Sequence, residues 1–249
     1  MSHTHKQGFT LVELMLAMGF VSALLLAIAM TVIQISNIYT RGITFTNVNQ
    51  QGGAIANELQ KSISGVKAFS VSPVSLDPNT KFIDNPESGR LCTGKYSYVW
   101  IYGKYLQPPY TPGNYIKYQG FTAASSPKIL FVKVYDPSFS VCIQSGLPLK
   151  YPDIIKANAV ELLNAGQFDL AIHGFKIVSY VSDGTTGQSL YSIEFYIGTN
   201  DISAFVDPNF PKGILPVCVQ SGIKANPFYC SVSQFNVLAR SGSATNDSN

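Results

Sequence analysis

Residues 14 to 33 read LMLAMGFVSALLLAIAMTVI, a run interrupted only by Gly19, Ser22 and Thr31, and no charged residue stands between Glu13 and Arg41. A hydrocarbon core of about 30 Å needs about 20 helical residues. The run contains no proline, so every backbone group inside it can be paired within one helix. It therefore predicts a membrane-spanning helix. Ahead of it Lys6 is the only formal charge, beside His3 and His5, and the positive-inside bias keeps that end cytoplasmic. The competing reading is a cleaved secretory signal. The run is too long for one, no A-x-A-like site follows it, and a carboxylate, Glu13, stands at its mouth. An acid at the edge of an inserting segment is either functional or a cap on the positive end of the helix.

Outside this run the chain is that of a folded protein. Of its 249 residues 46% are hydrophobic and 12% charged, about half the charge of an ordinary soluble domain, with mean hydropathy +0.14. Disorder, collagen and coiled-coil compositions are excluded. The length fits one good-sized domain, or a domain with an appendage. A net charge of +3 does not by itself argue for a nucleic-acid partner.

The helix is expected to continue past the apolar run. Ile35, Ile38, Gly42, Phe45, Val48, Gly52, Ile55, Leu59, Ile63 and Val66 recur at gaps of three or four and form one stripe. Gly42, Gly52 and Gly53 are costly in a helix interior. Close packing against a domain is one use for them and a bend at Gly52-Gly53 another. Gly65 is a stop signal. From Val66 onward, β-branched and aromatic runs at Tyr96 to Tyr102, Ile129 to Tyr135, Phe175 to Val181, Leu190 to Ile197 and Phe235 to Ala239 read as strands. Asp183-Gly184 to Gly187 marks a hairpin. A short helix is expected at Pro152 to Ala165, with Gly166 past its end. The tail from Ala239 to Asn249 is small and polar and is expected to fray.

A partial repeat links Asp136-Pro137-Ser138-Phe139 and Val141-Cys142-Ile143-Gln144-Ser145-Gly146 to Asp207-Pro208-Asn209-Phe210 and Val217-Cys218-Val219-Gln220-Ser221-Gly222. It is either two similar β-β-Cys units or a chance likeness of short turns; two copies do not make a solenoid. Nothing advertises catalysis. His173 is the one histidine outside the first eight residues, the acids from Val66 to Arg240 are scattered singly, and no G-x-S-x-G, H-E-x-x-H or phosphate loop is present. No catalytic residue, metal ligand, cofactor or small-molecule substrate is predicted.

One region reads as a binding candidate. Between Ser88 and Tyr135 the chain carries Arg90, Lys95, Lys104, Lys117, Lys128 and Lys133 and no acid, interleaved with eight of its 14 tyrosines around the loop Gln107-Pro108-Pro109-Tyr110-Thr111-Pro112-Gly113. Cations among aromatic rings suit an anionic polymer, DNA or a host-surface glycan, with Lys104, Tyr110, Tyr115, Lys117 and Lys128 as candidates. The competing reading makes the tyrosines sheet packing and the lysines a solvated face.

Lys6-Gln7-Gly8-Phe9-Thr10-Leu11-Val12-Glu13-Leu14 resembles the type IV prepilin signature, in which a short basic leader ends in Gly before Phe, a Thr-Leu-hydrophobic-Glu sequence and an apolar helix. Gln34 to Phe69, with Tyr39, Gln51-Gly52, Glu58-Leu59 and Ile63, is similar to the PilW-like or J-type minor pilins. The resemblance implies cleavage between Gly8 and Phe9 by a prepilin peptidase, N-methylation of Phe9, and pairing of Glu13 with the terminal amine of a neighbouring pilin subunit. A carboxylate in a low-dielectric bundle needs such a partner, so it rewards one axial register. The implied fold is α+β: a long N-terminal transmembrane and spine helix packed on a mostly antiparallel β-sheet domain. The expected divisions are a leader (1–8), the helix (9–64, with 9–33 in the membrane), a β-rich pilin domain (65–240) and a disordered tail (241–249). The implied setting is the cytoplasmic membrane and then an extracellular filament, the function that of a minor subunit in assembly, initiation or tip binding. Pilus, competence and type II secretion systems share this amino terminus.

An exported domain with four cysteines and no C-x-x-C argues for disulfides over zinc. The pilin resemblance favours Cys218 with Cys230, closing a short C-terminal loop, which leaves Cys92 with Cys142. Two other connectivities, one joining the repeat cysteines, and four free thiols stay open.

Overall fold

Thr10 starts the one long helix among the described residues. Its backbone is extended (φ −76°, ψ 150°), and its hydroxyl accepts from the Glu13 N–H while the Glu13 carboxylate accepts from the Thr10 N–H, so the two close a capping box. In this computed structural model, which describes residues 10–71, 81–106, 116–122, 125–144, 147–148, 151–163, 170–183, 187–207, 209–211, 213–219 and 230–242, helix α1 then runs without interruption from Leu11 to Ser64. At 1.5 Å per residue it is about 81 Å long. Gly65 ends it, and Gly52-Gly53 do not break it.

The helix has two different halves. Thr44, Val48, Gly52, Ile55, Leu59 and Ile63 are buried, a stripe at gaps of three and four that faces the sheets. Toward the N-terminus the stripe ends: Ile35, Ile38 and Phe45 are more than half exposed, and a Cβ on Gly42 would meet nothing. Ile35, Ile38 and Gly42 lie beyond Thr44, where the helix has left the domain; Phe45, between buried Thr44 and Val48, stands on the face turned away from it.

Two antiparallel sheets form that domain. The first joins β1 (Phe82–Asp84), β2 (Ser88–Thr93), β3 (Tyr96–Ile101), β5 (Phe131–Tyr135) and β9 (Ala159–Glu161) in that order. The second joins β10 (Leu170–Asp183), β11 (Gln188–Thr199) and β12 (Val232–Arg240), with β10 and β11 paired as a hairpin from Leu170↔Thr199 to Asp183↔Gln188. Two two-residue pairs complete the strands: β4 (Lys117–Tyr118) with β8 (Asp153–Ile154), and β6 (Ile143–Gln144) with β7 (Leu147–Pro148). A parallel bridge, Tyr102↔Ile172, links the sheets.

One core is shared by the helix and both sheets. Ile55, Leu59 and Ile63 of α1 join Leu91, Tyr98 and Trp100 from the first sheet and Phe175, Tyr191 and Phe195 from the second. Trp100 is fully buried, with Phe175 at 4.3 Å and Phe131 at 5.6 Å between ring centroids. The helix meets β12 at Gly52. A Cβ there would stand 2.0–2.5 Å from the outer edge of the Phe235 ring, so the absence of a side chain sets how near the strand comes.

The helix expected from Pro152 does not form. Residues 153–161 are β8, a single 3₁₀ turn (Lys156–Asn158) and β9, and the rest of that span beyond Leu163 lies outside the described residues. Glu161 decides it: its carboxylate accepts from the N–H groups of Leu130, Phe131 and Leu163 at 2.7–3.1 Å, anchoring the segment along β5. Near the C-terminus, Ser241 is buried and exchanges hydrogen bonds with Ser189, and Gly242 donates to Val66. The domain therefore extends past Arg240, and 243–249 lie outside the described residues.

Candidate functional site

The first half of α1 is a surface without a partner among the described residues. Leu11, Val12, Leu14, Met15, Leu16, Phe20 and the apolar residues on to Tyr39 stand about half to three-quarters exposed. No residue of its most apolar window is buried, and its length and composition suffice to cross a membrane. Ser22 and Thr31 return their hydroxyl protons to carbonyls one turn back, Met18 at 2.8 Å and Ala27 at 2.8 Å, so these polar groups need no water. Glu13 opens this surface, fully exposed, with Oε2 accepting from the Thr10 amide at 3.0 Å and hydroxyl at 2.9 Å. Gly8 and Phe9 lie outside the described residues.

The second half is locked to the first sheet by a group that the sequence reading used only for likeness. Glu58 Oε1 accepts from the Tyr98 hydroxyl at 2.8 Å and from the Lys133 ammonium at 2.6 Å. Burial alone would raise the Glu58 pKa; the hydrogen bonds from Lys133 and Tyr98 and the charges of Lys133 and Lys61 outweigh it and hold the carboxyl below its ordinary value. The signal was available: Glu58 stands on the helix next to buried Leu59, where an acid needs a partner from the domain.

The basic, tyrosine-rich region is divided by the fold. Tyr98, Tyr102 and Tyr118 are core residues. Tyr102 donates to Asp84 at 2.7 Å. Arg90 is fully buried and donates to the Val141 carbonyl at 3.2 Å; desolvation lowers its pKa to about 10. Lys117 sits 3.9 Å from Asp153 across the β4–β8 pair. Lys128 is exposed in the segment before β5. Lys104 is half-buried in a 3₁₀ turn, Gly103–Leu106. Neighbours of all three, Leu106, Ile116, Tyr118 and Ile129, belong to one buried cluster. Tyr110 and Tyr115 lie outside those residues. Tyr96 and Tyr135 do face solvent, 37% and 49% exposed and edge-to-face at 5.9 Å, with the Lys133 ammonium 4.0 Å above the Tyr96 ring.

His173 is fully buried on β10. Its Nε2 donates to the Thr199 carbonyl at 3.0 Å, which fixes the tautomer and leaves Nδ1 a lone-pair acceptor with no hydrogen-bond partner among the described residues. The rings of Phe205 and Phe210 cover it edge-on at 5.1 and 5.5 Å. A small pocket beside it is lined by Tyr102, Lys104, Tyr105 and Pro211. Burial lowers its pKa to about 4, so it is neutral near pH 7.

Cys92 is bonded to Cys142, with Cα atoms 6.4 Å apart, and Cys218 to Cys230, at 5.8 Å. The repeat shares its turn, since Phe139 donates to the Asp136 carbonyl as Phe210 does to that of Asp207. The surroundings differ. The Asp136 carboxylate is buried and accepts from Ser97, Ser140 and Val141, whereas Asp207 is exposed. No cluster of metal-ligating side chains occurs among the described residues. No family model, curated protein or solved structure matches the chain.

Proposed function

We propose that the chain is a minor subunit of a type IV pilus or a closely related filament. In this reading a prepilin peptidase cuts between Gly8 and Phe9, Phe9 is N-methylated, and the apolar helix holds the subunit in the cytoplasmic membrane with its N-terminus inside. Assembly then moves the helix from lipid into a bundle with other pilin subunits, and the β domain faces outward. The observation that carries the reading is the two-part helix behind the Lys6–Leu14 signature. Its first half offers an apolar surface that no described residue covers, and its second half is built into the domain.

Glu13 has a double use in this account. In the single chain it completes the capping box with Thr10. In a filament, the terminal amine of a neighbouring subunit is a charged and therefore stronger partner in a low-dielectric bundle. Glu13→Gln separates the uses, because glutamine still closes a capping box but carries no charge. Expressed in cells lacking the wild-type chain, the variant should be cleaved and retained in the membrane yet fail to enter sheared filaments. Incorporation at the wild-type level would overturn the reading.

A further inference from the structure

We propose that the cleft between the last turn of α1 and the β2–β3 turn binds a sugar carrying a single carboxylate, such as a sialylated glycan end. The cleft measures about 480 Å³, room for one sugar ring and part of a second. Lys61 from the helix, Lys95 from the turn and Lys133 from β5 line it, against one carboxylate, Glu58. That carboxylate is already engaged by Lys133. Lys61 and Lys95 are exposed and have no ion-pair partner among the described residues. The cleft thus holds two cations outside any ion pair, one from the helix and one from the turn, Lys61 adding its charge to the field at Glu58.

The remaining lining favours a hydroxylated ligand over a polyphosphate. Ser62 and Thr93 join helix to turn at the base of the cleft, hydrogen-bonded hydroxyl to hydroxyl; Thr93 is buried, and Ser62, half-buried, is the hydroxyl that a ligand can reach. Tyr96 is the one aromatic ring in the lining, and the Lys133 ammonium already stands over it. Successive bases would find no platform on which to stack. The C-terminus of α1 contributes partial negative charge at the same place. It opposes a ligand with a charge on every residue more strongly than one carboxylate held between two lysines. This site differs from the one read from Lys104, Lys117 and Lys128, and it does not depend on whether the chain enters a filament.

The test is calorimetric titration of the full chain in detergent micelles with sialyllactose, lactose and a thymidine decamer. Saturable binding of sialyllactose is expected, at least tenfold tighter than lactose and weakening as salt rises. A Lys61→Gln/Lys95→Gln double variant should lose at least tenfold in affinity at unchanged Tm, while Lys104→Gln/Lys128→Gln should bind as the wild type does. The proposal is overturned by absent sialyllactose binding or equal affinity for lactose. It is overturned equally if the decamer binds more tightly with the same lysine dependence, or if the second double variant is the one that loses binding.

Discussion

At the scale of single residues, two ionisable groups, one half-buried and one fully buried, are handled in opposite ways. Glu58 keeps its charge because Lys133 and Tyr98 hold it; His173 gives its charge up because burial strips the ring of solvent, which the backbone hydrogen bonds at Thr199 and Gly198 do not offset. The sign of the pH effect follows. Below its ordinary value of about 6.5 the unfolded chain protonates His173, while the folded chain resists until about pH 4. Stability contributed by the neutral ring is complete above that window and is lost as pH falls through it, on the order of 3 kcal/mol in all. Chemical denaturation from pH 7 to 4.5 should show His173→Gln losing less stability than the wild type. Parallel acid limbs would contradict the assignment.

At the scale of elements, the helix was legible where periodicity was clean and misread where context decided. The stripe from Val48 to Ile63 is visible in the sequence, and so is the stop at Gly65. Ile35, Ile38 and Phe45 obey the same period but are exposed, because periodicity records one apolar face without saying what covers it. The span from Pro152 looked helical from its terminal signals, yet Glu161 ties it to the start of β5 through the N–H groups of Leu130 and Phe131, and such a partner some 30 positions away leaves no local trace. Gly52 was readable as a close approach; that Phe235 is the neighbour was not. Gly52→Ala should therefore cost about 1–3 kcal/mol by overpacking, despite the better helix propensity of alanine. Gly42→Ala and Gly53→Ala, where a Cβ would meet nothing, should be neutral or stabilising. Thermal denaturation of the three variants checks this, and a Gly52→Ala protein as stable as the other two would show that the contact with Phe235 does not constrain the helix.

At the scale of the molecule, the chain is built for two solvents. The domain is cross-linked twice, over sequence separations of 50 for Cys92–Cys142 and 12 for Cys218–Cys230. Loop-closure entropy makes the first worth about 4 kcal/mol and the second about 3 kcal/mol. Cys92→Ser/Cys142→Ser should therefore lower Tm more than Cys218→Ser/Cys230→Ser. The reverse order would mean that strain or residual structure in the unfolded chain, rather than loop length, governs the cross-links. The candidate binding residues were the least legible part. Charge and aromatic content marked the region from Ser88 to Tyr135, but strand pairing sent Arg90, Tyr98 and Tyr102 inward. Folding also joined Lys95 and Lys133 with Lys61 of the helix, from outside that region.

The central claim is that the apolar helix is the retained, processed spine of a pilin-like subunit. Intact-mass and N-terminal peptide spectrometry of the native protein from membranes tests it most directly. The account predicts a chain that begins at Phe9 and carries one added methyl group on its terminal amine. A chain that retains Met1 to Gly8, or one cut beyond the apolar run so that the helix is lost, would contradict it.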